Sequence, residues 1–208
     1  VKEFTGIEID NIPEDDPENL KGIIENHVGF MKVPMAVVGP MLLDGVYAKG
    51  EFSVPLCTIE GTLAMSMNRG ILASYLCGGT TVRHFRQELS RAPVFIFDSF
   101  DESIKFQSWV EKNKDSIAAA AESTTNYGKV LRIDQYTVQN YVVLDIVLDT
   151  GNAAGQNMVT LAAQVACELI RKETGYNYFL ESNINSDKKP SVRNMLLGRG
   201  HAVAAETV

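Results

Sequence analysis

Hydrophobic and polar positions change period several times along this chain, and each change marks an element. Residues 28–43 are short apolar runs broken by Gly29, Pro34 and Gly39-Pro40, which suits strands and turns rather than a helix. Asp44-Gly45 is a hairpin signal, and residues 51–56 read as the strand that follows it. From Thr58 the pattern is apolar nearly all round, with Leu63, Met65, Met67, Ile71 and Leu72 set among the small residues Gly61, Thr62, Ala64, Ser66 and Gly70. That predicts a buried helix capped by Thr58, with Glu60 in its first turn and Gly78-Gly79 ending it. Asn68 and Arg69 are the strongly polar side chains along it, and a core helix must find partners for them.

A different grouping begins near residue 85. Residues 92–97 read as a strand, and 101–121 as a helix with Phe106, Trp109, Val110 and Ile117 on one face. Residues 128–138 alternate, Leu131 and Ile133 against Arg132 and Asp134. Val142, Leu144, Ile146 and Leu148 alternate again after a turn at Gln139-Asn140. Residues 156–172 form an amphipathic helix presenting Met158, Leu161, Ala162, Val165 and Leu169, and 176–180 is a last strand. The order βαββαβ is that of a ferredoxin-like unit. The expected fold is therefore α+β. A larger domain in two pieces, residues 1–84 and 179–208, is built around the central helix, and the ferredoxin-like unit 85–178 is inserted between them.

Composition narrows the function classes. With 45% hydrophobic and 22% charged residues the chain is ordinary and globular, and a formal charge of −7 argues against nucleic acid or an anionic membrane as partner. No apolar run reaches the ~18 residues a membrane span needs. Cys57, Cys77 and Cys167 are odd in number and widely spaced, which suits reduced thiols in a cytoplasmic setting, and no metal site is implied. The start at Val1 rather than Met, and a chain that stops within a new strand or helix over 201–208, suggest a piece of a longer protein. Residues 10–20, acidic and proline-bearing, read as a solvated arm.

Three stretches carry candidate chemistry. Thr150-Gly-Asn-Ala-Ala-Gly-Gln-Asn-Met158 joins a strand to a helix, so Gly151 and Gly155 could let a phosphate approach free helix amides. A plain glycine-rich cap explains it equally well. Ser123-Thr-Thr-Asn126 reads as a polar helix end, and Asp187-Lys188-Lys189-Pro190 as a solvated turn before a helix.

Taken together these segments resemble a known family. Thr58-x-Glu60-Gly61-x-Leu63-x-x-Ser66-x-Asn68-Arg69-Gly70 closely resembles the signature of hydroxymethylglutaryl-CoA reductase in its eukaryotic and archaeal form. Glu25-Asn26-x-x-Gly29 with Pro34 and Gly39-Pro40, and Asp187-Lys188-Lys189-Pro190, fit the same pattern in the same order. The resemblance runs from about residue 18 to 208. It implies reduction of 3-hydroxy-3-methylglutaryl-CoA to mevalonate by two hydride transfers from NADPH or NADH. In its terms Lys188 stabilises the oxyanion and Glu60 donates or shares the proton. Ser66, Asn68, Arg69, Arg83, Asp187 and Lys189 hold the thioester substrate. Thr125, Asn126, Gly151, Asn152, Ala153, Gly155, Asn157 and Met158 contact the nicotinamide cofactor. It also implies a homodimer, or a higher homo-oligomer, with a shared active site.

The chain departs from the family at several of these positions. Asn152 stands for an Asp and Ala154 for a Met. Asn126 stands for an Arg that holds a 2′-phosphate, Leu72 for a cation, and Glu181-Ser182 for a Ser-Gly pair. A later catalytic Asp and a C-terminal His of the family have no counterpart within 1–208. A catalytically incomplete binding or regulatory homologue, or an enzyme running in the mevalonate-oxidising direction, are the alternatives.

Overall fold

The computed structural model describes residues 32–185, 192–198 and 200–208. The acidic arm 10–20, Glu25-Asn26-x-x-Gly29 and the Asp187-Lys188-Lys189-Pro190 segment lie outside the described residues. The chain folds as two compact units, Val1–Arg83 with Ala204–Val208 and His84–Val203. Both mix α and β structure.

In the first unit, strands β1 (Met35–Gly45) and β2 (Lys49–Cys57) form the expected hairpin, antiparallel, with Asp44 opposite Lys49 and the Gly45 amide donating to Ala48 O at 2.9 Å. The register shifts between Val38 and Met41, so what reads as broken apolar runs is one strand carrying a bulge. Gly39 makes it possible: its φ is +123°, and a Cβ there would meet Phe52 O at 2.8 Å. Helix α1 (Leu63–Leu76) follows, starting later than its sequence signals suggest. Thr58 is not its cap, since its Oγ1 accepts the Glu60 amide in a turn before the helix. Nor is α1 buried: it has no buried residue, and Met65, Leu72 and Leu76 are exposed. Apolar content marks a face that needs covering, and in this chain one side of α1 is left uncovered. Tyr75 on α1 donates to Glu51 on β2 at 2.5 Å, and Glu51 holds the phenol above its usual pKa.

Strand β3 (Thr80–Arg91) runs from the first unit into the second, pairing parallel with the end of β1 over Thr80–Val82 and antiparallel with strand β6 (Tyr141–Asp149) over Leu89–Arg91. The sequence pattern predicts no strand there. Its charges and amides break the apolar period, yet in the fold they are partnered: Glu88 by Arg132, Gln87 by Asp149, and Arg91 by Glu181.

The second unit closes its own core. Its elements are β4 (Val94–Ile96), α2 (Phe100–Glu122), β5 (Lys129–Val138), β6, α3 (Gln156–Thr174) and β7 (Tyr178–Phe179). The strands lie in the order β5-β6-β4-β7, with every neighbour antiparallel. Ser99 caps α2 by accepting the Glu102 amide, with Asp101 and Glu102 in the first turn, and Gly175 ends α3 at φ +79°. Phe106 sits between Phe95, Phe97, Trp109 and Tyr176, with ring centroids 4.7 to 6.4 Å away.

Three expectations shift here. On α3 the buried face is Val159, Ala162, Ala163, Ala166, Cys167 and Ile170, while Leu161 is half exposed. Small residues let the helix seat closely on the sheet, so the larger apolar ones flank the contact. On β5 the register slips between Val130 and Arg132, which turns Leu131 outward. On β6 all of Val142–Leu148 is buried, because both faces of this central strand are covered rather than one. The short helix α4 (Val192–Leu197) and strand β8 (Gly200–Glu206), which pairs with β3, complete the described chain.

Candidate active site

Five of the predicted site residues belong to the first unit. Glu60 sits on the exposed turn ahead of α1, outside the helix itself. Ser66 and Arg69, one turn apart, line a hollow of 380 Å³ with Thr62 and Met65. Asn68 faces a second groove of 390 Å³ formed with Gly39, Pro40, Ile71, Leu72 and Tyr75, and its Oδ1 accepts the Gly39 amide at 2.9 Å. The signature asparagine therefore fastens α1 to the β1 bulge. Arg83, half exposed, donates from Nη1 to the carbonyls of Asp44 and Val82 at 2.8 and 2.9 Å, and its Nη2 stands 3.7 Å from the Asp44 carboxylate. Lys49 also bonds Asp44 at 2.9 Å, and it is first Lys49, then Arg83, that holds this carboxyl below its usual pKa. An exposed guanidinium oriented by carbonyls is suited to take an incoming carboxylate.

The second group lies in the second unit, around the N-terminus of α3. Asp149 ends β6 with Oδ1 accepting from the Gly151 amide at 2.8 Å and from Gln87 Nε2 at 3.0 Å, and Gln87 also donates to Gly151 O. Thr150 Oγ1 donates to Ala153 O at 2.9 Å, so the 149–155 loop is tied from within. Gly155 is the N-cap of α3 at φ +79° and gives no side-chain cap, leaving the Gln156, Asn157 and Met158 amides without intrahelical acceptors. The first ladder bond runs from Val159 N to Gly155 O at 2.9 Å. The loop requires a glycine here on its own account. A Cβ at 155 would meet Thr150 Cγ2 at 2.4 Å, so the loop itself forbids bulk, whatever approaches from outside.

The 123–128 turn reaches this same place. Thr125 Oγ1 accepts the Tyr127 and Gly128 amides at 3.1 Å each, and a Cβ on Gly128 would meet both Thr125 Cγ2 and Met158 Sδ at 2.8 Å. Glu122 anchors the turn by accepting from Val130 N at 2.8 Å and from Lys129 Nζ at 3.0 Å, and Lys129 foremost depresses its pKa. Two stretches distant in sequence are thus brought together at Thr125 and Met158, beside exposed Asn126, Asn152, Ala153 and Asn157. Free amides, two positive-φ glycines and a polar turn fit the phosphates and ribose of a dinucleotide.

The whole chain, residues 1–208, matches the family model of hydroxymethylglutaryl-coenzyme A reductase. The chain belongs to this family. Reductases of the same name from Methanothermobacter thermautotrophicus and Methanocaldococcus jannaschii are 41% and 38% identical to it, over 88% and 99% of this chain. The chain spans about half the length of these relatives, 47% and 53% respectively. Among solved structures, the class II 3-hydroxy-3-methylglutaryl-CoA reductase of Streptococcus pneumoniae bound to NADPH in open conformations is similar in fold. Its TM-score is 0.63 at 18% identity, covering 80% of this chain and 46% of that one.

The reductase signature left several structural residues unmarked. Gln87, Asp149 and Thr150 shape the 149–155 loop, and Glu181 takes Arg91 Nη1 at 3.2 Å and Asn185 Nδ2 at 3.0 Å. One was visible in the sequence: Asp145, an acid inside the apolar run Val142–Leu148. Among the described residues no helix is long and apolar enough to cross a membrane, and no group of His, Cys, Asp or Glu is placed to hold a metal.

Proposed function

We propose that this chain is part of an enzyme that reduces 3-hydroxy-3-methylglutaryl-CoA to mevalonate and coenzyme A with NADPH or NADH. The observation that carries the reading is the family match over the full 1–208, supported by an uncapped α3 N-terminus where the cofactor's pyrophosphate would lie. The NADPH-bound relative supports the cofactor class. Asn126, standing where a phosphate-holding Arg is usual in animal enzymes, keeps NADH equally in play.

Arg83 would pair with the substrate carboxylate, and Asp187 and Lys189 would hold the substrate. Ser66, Asn68 and Arg69 would line the coenzyme A path, with Asn68 committed on one side to Gly39. The α3 amides, Gly151, Asn152, Ala153, Gly155, Asn157, Thr125 and Asn126 would hold the dinucleotide, which when bound supplies hydride. Lys188 would set fixed positive charge beside the oxygen that becomes negative as hydride adds to the carbonyl carbon, and Glu60 would supply or share the proton. Glu60 suits this because its carboxyl is exposed on a turn rather than sealed in a core.

The larger-domain and inserted-domain reading, 1–84 with 179–208 around 85–178, belongs to the same proposal. The inserted unit is read as ferredoxin-like, supported by the antiparallel order β5-β6-β4-β7 and by α2 and α3 sharing one core with it. A homodimer with a shared site is supported by the uncovered side of α1, where Met65, Leu72 and Leu76 are exposed. A cytoplasmic setting is supported by three unpaired cysteines. The test is nicotinamide oxidation by the full-length protein with the thioester. Two nicotinamides consumed per mevalonate is the expected result, and no oxidation of either nicotinamide would overturn it.

A further inference from the structure

The 149–155 loop carries the chain from β6 into α3, and its backbone alone does not fix its shape. Gly151 stands at φ +61° and Gly155 at φ +79°, in the left-handed region that glycine enters freely, so the turn needs ties to hold one arrangement. Some ties come from within. Asp149 Oδ1 accepts the Gly151 amide two residues on at 2.8 Å, and Thr150 Oγ1 donates to Ala153 O at 2.9 Å. Ties of that kind curl the loop but do not fasten it to the rest of the unit. Gln87 on β3 does, from 62 and 64 residues away in sequence: its Nε2 donates to Asp149 Oδ1 at 3.0 Å and to Gly151 O.

Both partners of Gln87 are acceptors, so its nitrogen faces the loop and both amide hydrogens are used. Gly151 is thereby gripped twice, its N–H by Asp149 and its carbonyl by Gln87. A primary amide suits the place. It gives two donors from one atom and adds no charge beside amides that would meet an anion, whereas a carboxylate would set oxygen against two oxygens. The base of the side chain is fixed as well, because Leu89, two residues on and on the same face of β3, is buried in the core. With its amide committed to Asp149, Gly151 serves the cradle by shape, and the Gln156, Asn157 and Met158 amides are those left to meet phosphate.

We infer that Gln87 is a positioning residue for the nicotinamide cofactor: from β3 it clasps Asp149 and Gly151, and so holds the loop that presents the α3 amides. The cofactor's place rests on the reductase reading, while the clasp itself stands on the geometry.

The test uses the full-length protein with Gln87→Met, which keeps the length and removes both donors, and Gln87→Glu, which turns donors into acceptors. Each is followed by melting temperature and by backbone deuterium uptake over residues 150–158 without cofactor. NADPH and NADH binding are read by fluorescence titration, and kcat and KM are measured for each substrate. Gln87→Met should melt near wild type and take up deuterium faster over 150–158. Its nicotinamide Kd and KM should rise about tenfold, the scale of one or two hydrogen bonds, while kcat at saturating nicotinamide and KM for the thioester hold. Gln87→Glu should exceed it in both uptake and Kd, since its charge repels Asp149 and the Gly151 carbonyl.

Wild-type uptake and wild-type nicotinamide affinity in both variants would overturn the inference. So would an early melt with equal losses toward thioester and nicotinamide, the mark of a residue that only holds the fold. Wild-type protein that binds neither nicotinamide would overturn the reductase reading instead, and the uptake of the variants would still decide the clasp.

Discussion

Helix α2 buries Ser103, Phe106, Val110, Ile117 and Ala121 against its own sheet, whereas α1, the more apolar of the two in sequence, buries nothing. Residue type alone would rank them the other way. The difference lies in what each has to pack on. α2 and α3 share a sheet whose central strand is buried from Val142 to Leu148, so the second unit is complete in its core. α1 rests on a hairpin and carries the residues matched to substrate binding on a helix with an exposed side. Mutations in the two regions should therefore report different things, folding in one and function in the other.

The largest folding effect is expected from Phe106→Ala, which removes the ring at the centre of the aromatic cluster and should cost about 3–5 kcal/mol in denaturant unfolding. A loss below about 1 kcal/mol would mean that the second unit's core is not centred there. Gly155→Val comes next. Helix propensity alone would change little, Val and Gly being comparable, but φ +79° and the Thr150 contact predict roughly 1–3 kcal/mol of strain alongside weaker nicotinamide binding. Fluorescence titration beside a melt would separate the two losses, and a variant as stable as wild type would contradict the loop geometry.

Arg132→Met probes the ionic chain at the edge of the same unit. Arg132 first, then Arg86, holds Glu88 below the usual carboxylate range, against a partial desolvation that raises it. A carboxyl depressed in the folded state adds stability above its unfolded pKa and loses it as pH falls through the folded value. Wild type should therefore destabilise more steeply on acidification than the variant, and parallel stability–pH curves would remove Glu88 from the account. The smallest effect is expected for Met65→Ala on α1, within about 0.5 kcal/mol for the isolated chain, since that side chain is already 70% exposed.

The sequence was most legible where period and burial agree. The hairpin at Asp44-Gly45, the elements of the second unit and the Phe106 face of α2 all follow from alternation, helical spacing and turn residues. It was least legible where polar groups are satisfied by distant partners. β3 carries Gln87, Glu88 and Arg91 yet is a strand, because they find Asp149, Arg132 and Glu181, partners that no local pattern announces. The burial of α1 was overestimated for the converse reason, since apolar spacing says that a face seeks cover without saying what supplies it. The site residues came from motif likeness. Spacing alone could not join Thr125 to Met158, which the fold brings together over Gly128.

The central claim is that the open end of α1 serves chemistry rather than packing, and Glu60→Gln in the full-length protein tests it most directly. Glu60 is exposed and makes its own turn through a backbone amide, so the melting temperature should hold while kcat falls by about 10² to 10³. A variant that melts early and keeps its turnover per folded molecule would contradict the account.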